Sequence, residues 1–257
     1  MFKSYSFTWF RTFCLLWIKE LTSPAFHRSA RALGKLKDSK RGKKAIILCN
    51  GPSLKNVDLN QLLREDVETF GLNKINLLFE DTRFRPTYLV CINRFVVEQN
   101  AEYFKQTNIP LFVDSRHVGL LDGSRAIPIR SLPMRGFFGR DVSKGYCQGF
   151  TVTYAAMQLA YHMGFDNVAL VGCDHYFNDK GTPNAVVESQ SDDTNHFHPD
   201  YFGKGMKWQL PDIVGSEFHY QIARDEFKSA GRSLYNCTEG GHLHLLERIS
   251  LSEFLAK

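Results

Sequence analysis

Five polar clusters stand directly after apolar runs: Asn50-Gly51-Pro52-Ser53, Asn73-Lys74, Asn93-Arg94, Asp174-His175-Tyr176, and Asn236 with Thr238. One such cluster alone reads as a turn or a helix cap. Repeated after strand after strand, they read as one rim of a sheet. Amides and hydroxyls without charge suit ribose, base or sugar hydroxyls and non-bridging phosphate oxygens. In the first cluster Gly51 allows a ligand to approach the backbone closely. Pro52 fixes the turn and can open a helix, and Ser53 with the amides after it points at an anion. A second turn, Gln148-Gly149, precedes a strong helical pattern with Thr151 and Thr153 in its first turns. It reads either as a phosphate or carboxylate site or as plain capping. Neither turn has the P-loop or the GxGxxG pattern, which disfavours NAD.

The stretch "SDDTNHFHPDYFGKGMKW" holds Asp192, Asp193, His196, His198, Asp200 and Tyr201. Two histidines and a carboxylate could hold a metal. Alternatively one histidine serves as general base, because its ordinary pKa lies near neutrality. A solvated polar loop is the third reading.

The elements that must position these groups alternate. Strand-like runs are "KAIILC", "ETFGLN", "PTYLVCIN", "PLFVD", "NVALVGCD" and "SLYNCT". Helical patterns lie between them: a short start at "DLNQLL", then "FVVEQNAEYFKQ", "GFTVTYAAMQLAYHMG" and "EFHYQIARDEFKSAG". The order predicts an α/β fold, a Rossmann-like, mostly parallel sheet flanked by helices, with ligands beyond the carboxyl ends of its strands. Residues 178–215 are rich in Asp, Asn, His, Pro and Gly and read as a polar lid insertion.

Charge divides the chain. Residues 1–44 carry 11 Lys/Arg and 2 Asp/Glu, and residues 45–257 carry 21 and 25. A nucleic-acid-binding body is excluded by that balance, since a surface for phosphate backbones needs its own basic stripe. Residues 1–43 read as a basic amphipathic leader and 44–257 as the catalytic domain. Within the leader the apolar run Phe13–Ile18 is too short to span a bilayer, and no small-residue cleavage motif follows a long apolar stretch. Its aromatic segment and the basic run Arg28–Lys44 suit the inner face of an anionic membrane, giving a cytoplasmic or peripheral location. The cysteines Cys14, Cys49, Cys91, Cys147, Cys173 and Cys237 form no CxxC pair and read as small core residues of a reducing compartment.

The motifs "CNGPSL", "FGLNK", "CIN" and "QGFTVTYAAMQLAYHMGFDNVALVGCDHY", with the His-rich lid, resemble the bacterial sialyltransferases of lipooligosaccharide. They are still more similar to the broad DUF115 family, which joins motility-associated flagellin glycosyltransferases with 6-hydroxymethylpterin diphosphokinase-like proteins. The resemblance implies that Asn50, Gly51, Ser53, Asn73 and Asn93 bind a CMP-linked nonulosonic acid. It implies that Tyr176 steadies the leaving phosphate and that a lid histidine takes the proton of the acceptor hydroxyl, with no metal required. Where that family has its catalytic histidine this chain has Asp200, which leaves His198 or His196 to serve. Pro52, Lys74, Gln148, Gly149, Asp174 and His175 complete the expected substrate-binding set.

The leading expectation is inverting transfer of a sugar from a nucleotide-activated donor to a glycan or lipid-linked acceptor, by a chain able to form homo-oligomers. One alternative is magnesium-dependent pyrophosphoryl transfer, with Asp174, Asp192 and Asp193 on the ion. The other is a non-catalytic nucleotide-binding protein.

Overall fold

The computed structural model describes residues 24–64 and 66–257. The expected aromatic segment of the leader, residues 7–21, lies outside them. In chain order the elements are α1 (Pro24–Leu36), β1 (Lys44–Leu48), β2 (Val67–Leu72), β3 (Tyr88–Cys91), α2 (Arg94–Gln99), α3 (Ala101–Gln106), β4 (Leu111–Asp114) and β5 (Ile127–Ile129). Then come α4 (Val152–Met163), β6 (Asn167–Val171), β7 (Val186–Glu188), β8 (Lys207–Gln209), α5 (Ile213–Ser229), β9 (Ser233–Asn236), β10 (Glu247–Arg248) and α6 (Leu251–Ala256).

Eight strands form one sheet in the order β10-β9-β6-β1-β2-β3-β4-β5, and every pairing in it is parallel. This is the α/β, Rossmann-like fold that the alternation predicts. Strands buried on both faces read as unbroken apolar runs, and β1, "KAIIL", is buried from Ala45 to Leu48. Ala45 and Ile47 face one core layer with α4 and α5, while Ile46 and Leu48 face the other. From β1 the chain winds outward to β5, then returns to the other side of β1 as β6. That reversal opens a crevice between the carboxyl ends of β1 and β6, the place where ligands bind in such sheets.

The helix over "GFTVTYAAMQLAYHMG" is α4. Thr151 caps it by accepting from the Thr153 amide, and Gly164 ends it at φ +94°. "FVVEQNAEYFKQ" is two short helices broken at Asn100, and "DLNQLL" is a 3-10 turn. The region 178–215 is an arm whose regular part is the antiparallel hairpin β7–β8.

The described part of the expected leader is built into the body. Leu33 of α1 is buried, its carbonyl bonds His162 Nε2 at 2.9 Å, and Ser29 Oγ donates to the Pro128 carbonyl. Lys40 and Lys43 both reach Glu68, at 2.7 and 3.0 Å. The five cysteines among the described residues are buried free thiols. Among the described residues no helix is long and apolar enough to cross a membrane.

Candidate functional site

A cavity of about 880 Å³ opens over the β1/β6 crevice. Asn50, Gly51, Asn73, Asn93, Gln148, Gly149, Asp174, His175, Tyr176 and His196 all line it. Residues up to 146 positions apart in sequence thus share one chamber, as the strand-end rule requires. Pro52, Ser53, Lys74 and His198 are not part of the lining.

The Asn-Gly-Pro-Ser loop differs from the expected anion cradle. Ser53 donates its hydroxyl to Asp174 Oδ2 at 2.8 Å and its amide to both carboxylate oxygens, at 3.2 and 3.3 Å. The protein's own carboxylate fills the place expected for a ligand, tying the end of β1 to the end of β6. A side chain at position 51 would put Cβ 1.9 Å from Asp174 Oδ2, so Gly51 admits Asp174 rather than a ligand. Asn50 donates Nδ2 to the Leu72 carbonyl at 3.1 Å, and its Oδ1 is buried with no hydrogen-bond partner. A buried acceptor beside a cavity is satisfied by a water or by a donor group of a ligand.

Asn73 sits at φ +49° after β2. Asn93 caps α2 through Oδ1 and gives Nδ2 to Gln209 of the arm at 2.9 Å. Asn236 and Thr238, the fifth cluster, bond backbone instead: Asn236 spans Leu243 and Thr238, and Thr238 Oγ1 accepts from the Cys173 amide. Gln148 gives Nε2 to Asp114 at 3.1 Å. Gly149 turns at φ +57°, with a Cβ there only 2.3 Å from the Tyr154 ring. His175 pairs with Glu217 at 3.2 Å. Burial lowers its pKa, and Glu217 opposes that only in part. Tyr176 is exposed at the mouth, against the His242 ring.

The arm separates the two candidate histidines. His196 places Nδ1 2.7 Å from Asp193 Oδ2, and its ring stacks on Tyr201 with centroids 4.0 Å apart. Asp193 also accepts from the amides of Asn195, His196 and Phe202. Burial would raise this carboxyl, but the His196 bond and the amides outweigh it and hold Asp193 below its ordinary value. A carboxylate on Nδ1 makes that nitrogen the donor and leaves Nε2 to accept a proton. His198 instead accepts the Asp200 amide at Nδ1, 3.1 Å away. Lys74 turns away from the cavity into the arm, where its ammonium donates to the Tyr201 carbonyl at 2.6 Å. Two further tethers hold the arm down: the Phe197 amide on the Asn50 carbonyl, and Gln99 Nε2 on the Lys207 carbonyl.

Two of the three carboxylates considered for magnesium, Asp174 and Asp193, bond groups of the protein itself. Asp174 serves Ser53, Asp193 serves His196 and three amides, and no group of three potential ligands forms among the described residues.

A basic wall completes the cavity. Arg94, Arg116, Arg130 and Arg135 line it, although the body of the chain is acidic overall. Arg135 lies 5.3 Å over the Phe150 ring and has no ion pair among the described residues. Arg116 makes a two-pronged bond to Asp114, at 2.9 Å on each oxygen. The signal for Arg116 was present in "FVDSR", another polar cluster after a strand. Arg130 follows β5, three residues long with Pro128 at its centre, which does not read as a strand.

A family model described as 6-hydroxymethylpterin diphosphokinase MptE-like matches residues 22–180. No curated protein matches the sequence. The MAf glycosyltransferase from Magnetospirillum magneticum AMB-1 shares the fold, with a TM-score of 0.53 at 12% identity over 88% of this chain. The chain spans 38% of that protein's length. The sialyltransferase CstII from Campylobacter jejuni, solved in complex with a substrate analogue, cytidine-5'-monophosphate, gives a TM-score of 0.46 at 14% identity over 82% of this chain and 86% of that one.

Proposed function

The chain belongs to the MptE-like, 6-hydroxymethylpterin diphosphokinase-like family, and on that premise we propose that it is a group-transfer enzyme of the glycosyltransferase kind. It moves a sugar, with inversion, from a nucleotide-activated donor to the hydroxyl of a glycan acceptor. The observation that carries this reading is the Asp193–His196 pair on the wall of the switch-point cavity. The donor lies along the rim, offering a hydrogen-bond donor to the orphaned Asn50 Oδ1 and its phosphate to the basic wall at Arg135 and Arg116. His196 Nε2 takes the proton of the acceptor hydroxyl as that oxygen attacks the anomeric carbon. The bond from that carbon to phosphate breaks, and its electrons leave on the nucleotide. Tyr176 at the mouth donates to the departing phosphate. The resemblance of "CNGPSL" and "FGLNK" to the sialyltransferases makes a nonulosonic acid on CMP the first donor to test.

The family's printed description favours a second reading, transfer of pyrophosphate to a pterin. A thermal-shift panel of CMP, UDP, GDP and ATP, with and without magnesium, separates the two. At 100 times its Kd a nucleotide stabilises the native chain by about 2.7 kcal/mol, and each kcal/mol raises Tm by about 2–4 °C at this size. CMP is expected to raise Tm equally in chelator and in magnesium. A response confined to ATP with magnesium overturns the glycosyl reading in favour of the kinase one.

The acceptor is proposed to lie at an anionic membrane surface. Arg28, Arg31 and Lys35 are exposed on α1 and have no ion pair among the described residues. The chain is expected to sediment with phosphatidylserine vesicles at low salt and to stay in solution at 0.5 M salt, because exposed charges are screened there. Unchanged sedimentation after Arg28, Arg31 and Lys35 are all replaced by Glu rules this surface out.

A further inference from the structure

Lys74 follows β2 and is 4% exposed. An ammonium has three donors. Here one oxygen accepts, the Tyr201 carbonyl at 2.6 Å, and Met206 Sδ lies at 3.4 Å. The charge sits between the rings of Tyr201 and Phe202, 5.9 and 5.1 Å from their centroids, with no ion pair among the described residues. Tyr201 is also the ring on which His196 stacks. One line of contact therefore runs from Lys74 through Tyr201 to His196 and Asp193.

We propose that Lys74 is a positioning residue that makes the seating of the arm, and with it the placement of His196, a proton-linked step. The proposal rests on the reading of His196 as the base. When the arm is seated, the ammonium is stripped of water, and when the arm lifts it is solvated again. The seated arm thus holds the Lys74 proton less tightly. Burial lowers Lys74 from 10.5 to about 8, opposed by the Asp193 carboxylate from the arm. Asp193 stays ionised throughout this range, since its pKa is lowered. The Cys91 thiol and the Tyr201 phenol, both pushed up by burial, stay neutral.

The sign follows from which state binds the proton. Below pH 8 both states hold it, and the seated arm bears the whole penalty of a buried charge. Between pH 8 and 10.5 the lifted arm keeps a proton that the seated arm has released, so rising pH favours the seated arm.

The test is cleavage of the arm by subtilisin in the full chain, normalised at each pH to an unstructured peptide covering residues 190–207. Where reclosing outpaces cleavage, the rate reports the population of the lifted arm. That rate is expected to fall by up to about tenfold per pH unit between pH 8 and 10, the slope of one proton. Lys74→Met removes the slope and leaves the arm protected at all pH values. Lys74→Gln is a second variant with the same expectation, should methionine prevent folding. A flat profile in the unaltered chain, or an unchanged slope in either variant, overturns the proposal. Cleavage needs no substrate, so these outcomes are independent of whether His196 is the base.

Discussion

Replacing His196 with glutamine is expected to lower the rate of the proposed sugar transfer by about 10²–10⁴-fold, the range that a positioned general base supplies. Glutamine keeps a planar group of similar size on Tyr201, so the arm stays seated and CMP still raises Tm. The same change at His198 leaves the rate within about twofold, because that ring serves the Asp200 amide and lies outside the cavity lining. Asp193→Asn falls between them: the amide no longer fixes Nδ1 as the donor, so a fraction of the rings hold the proton on Nε2 and cannot accept another. The measurement is initial-rate release of nucleotide from the donor, with a melting curve for each variant. Full activity in the His196 variant would take the role of base away from His196, and no activity in the unaltered chain would leave the nucleotide-binding reading without catalysis standing. Full loss at His198 alone would move the base to the other side of the arm.

The strands were legible for a physical reason. β1, β3, β4 and β6 are buried on both faces and read as short, mostly apolar runs, and β2 is buried throughout although it carries Glu68 and Thr69. β5 and β10, with three and two residues, carry no such signal. The sheet therefore read as narrower than it is, and most of the basic wall beyond β4 and β5 went unseen. Within the arm, composition announced a functional insertion, but not which acid turns inward. Asp193 and Asp200 look alike in sequence, yet their side chains are 3% and 75% exposed. The difference is made by three backbone amides that converge only on the folded turn. The Asn-Gly-Pro-Ser loop shows the same limit from the other side. The amide and hydroxyl of its Ser53 bond a carboxylate, but it is that of Asp174, 121 residues beyond Ser53.

A role for Asp174 as brace rather than ligand contact changes how the cavity recognises charge. With Ser53 occupied, the phosphate of the proposed donor would find its positive partners elsewhere, among Arg94, Arg116, Arg130 and Arg135 on the cavity wall. Arg116 is held in place by Asp114, and Gln148 by the same carboxylate. The orientation of that wall thus depends on one residue that no ligand touches.

Asp114→Ala is accordingly expected to destabilise the chain by about 1–3 kcal/mol, the effect of leaving a buried hydrogen-bond donor without its partner. Asp114 is fully buried. It accepts from the Tyr146 hydroxyl at 2.7 Å, from Arg116 Nε and Nη2 at 2.9 Å, from the Arg116 amide at 3.0 Å, and from Gln148 at 3.1 Å. Alanine strands the Tyr146 hydroxyl, which has no route to water since that residue is itself fully buried, whereas the Arg116 side chain, 56% exposed, can turn to solvent. Burial alone would raise the Asp114 carboxyl, but Arg116 and then Tyr146 outweigh it and lower the pKa. A lowered carboxylate gives its full stabilisation above its ordinary value of 3.8 and loses it as pH falls through the lowered one. Urea melts should therefore show a constant gap between the unaltered chain and Asp114→Ala from pH 8 to pH 5, shrinking only below about pH 4. Asn at this position keeps the shape but turns an amide donor against the others, so it recovers less than half of the gap. A loss under 1 kcal/mol for alanine would mean that Arg116 and Gln148 are held by something other than this carboxylate, and the basic wall would have to be rebuilt from a different anchor.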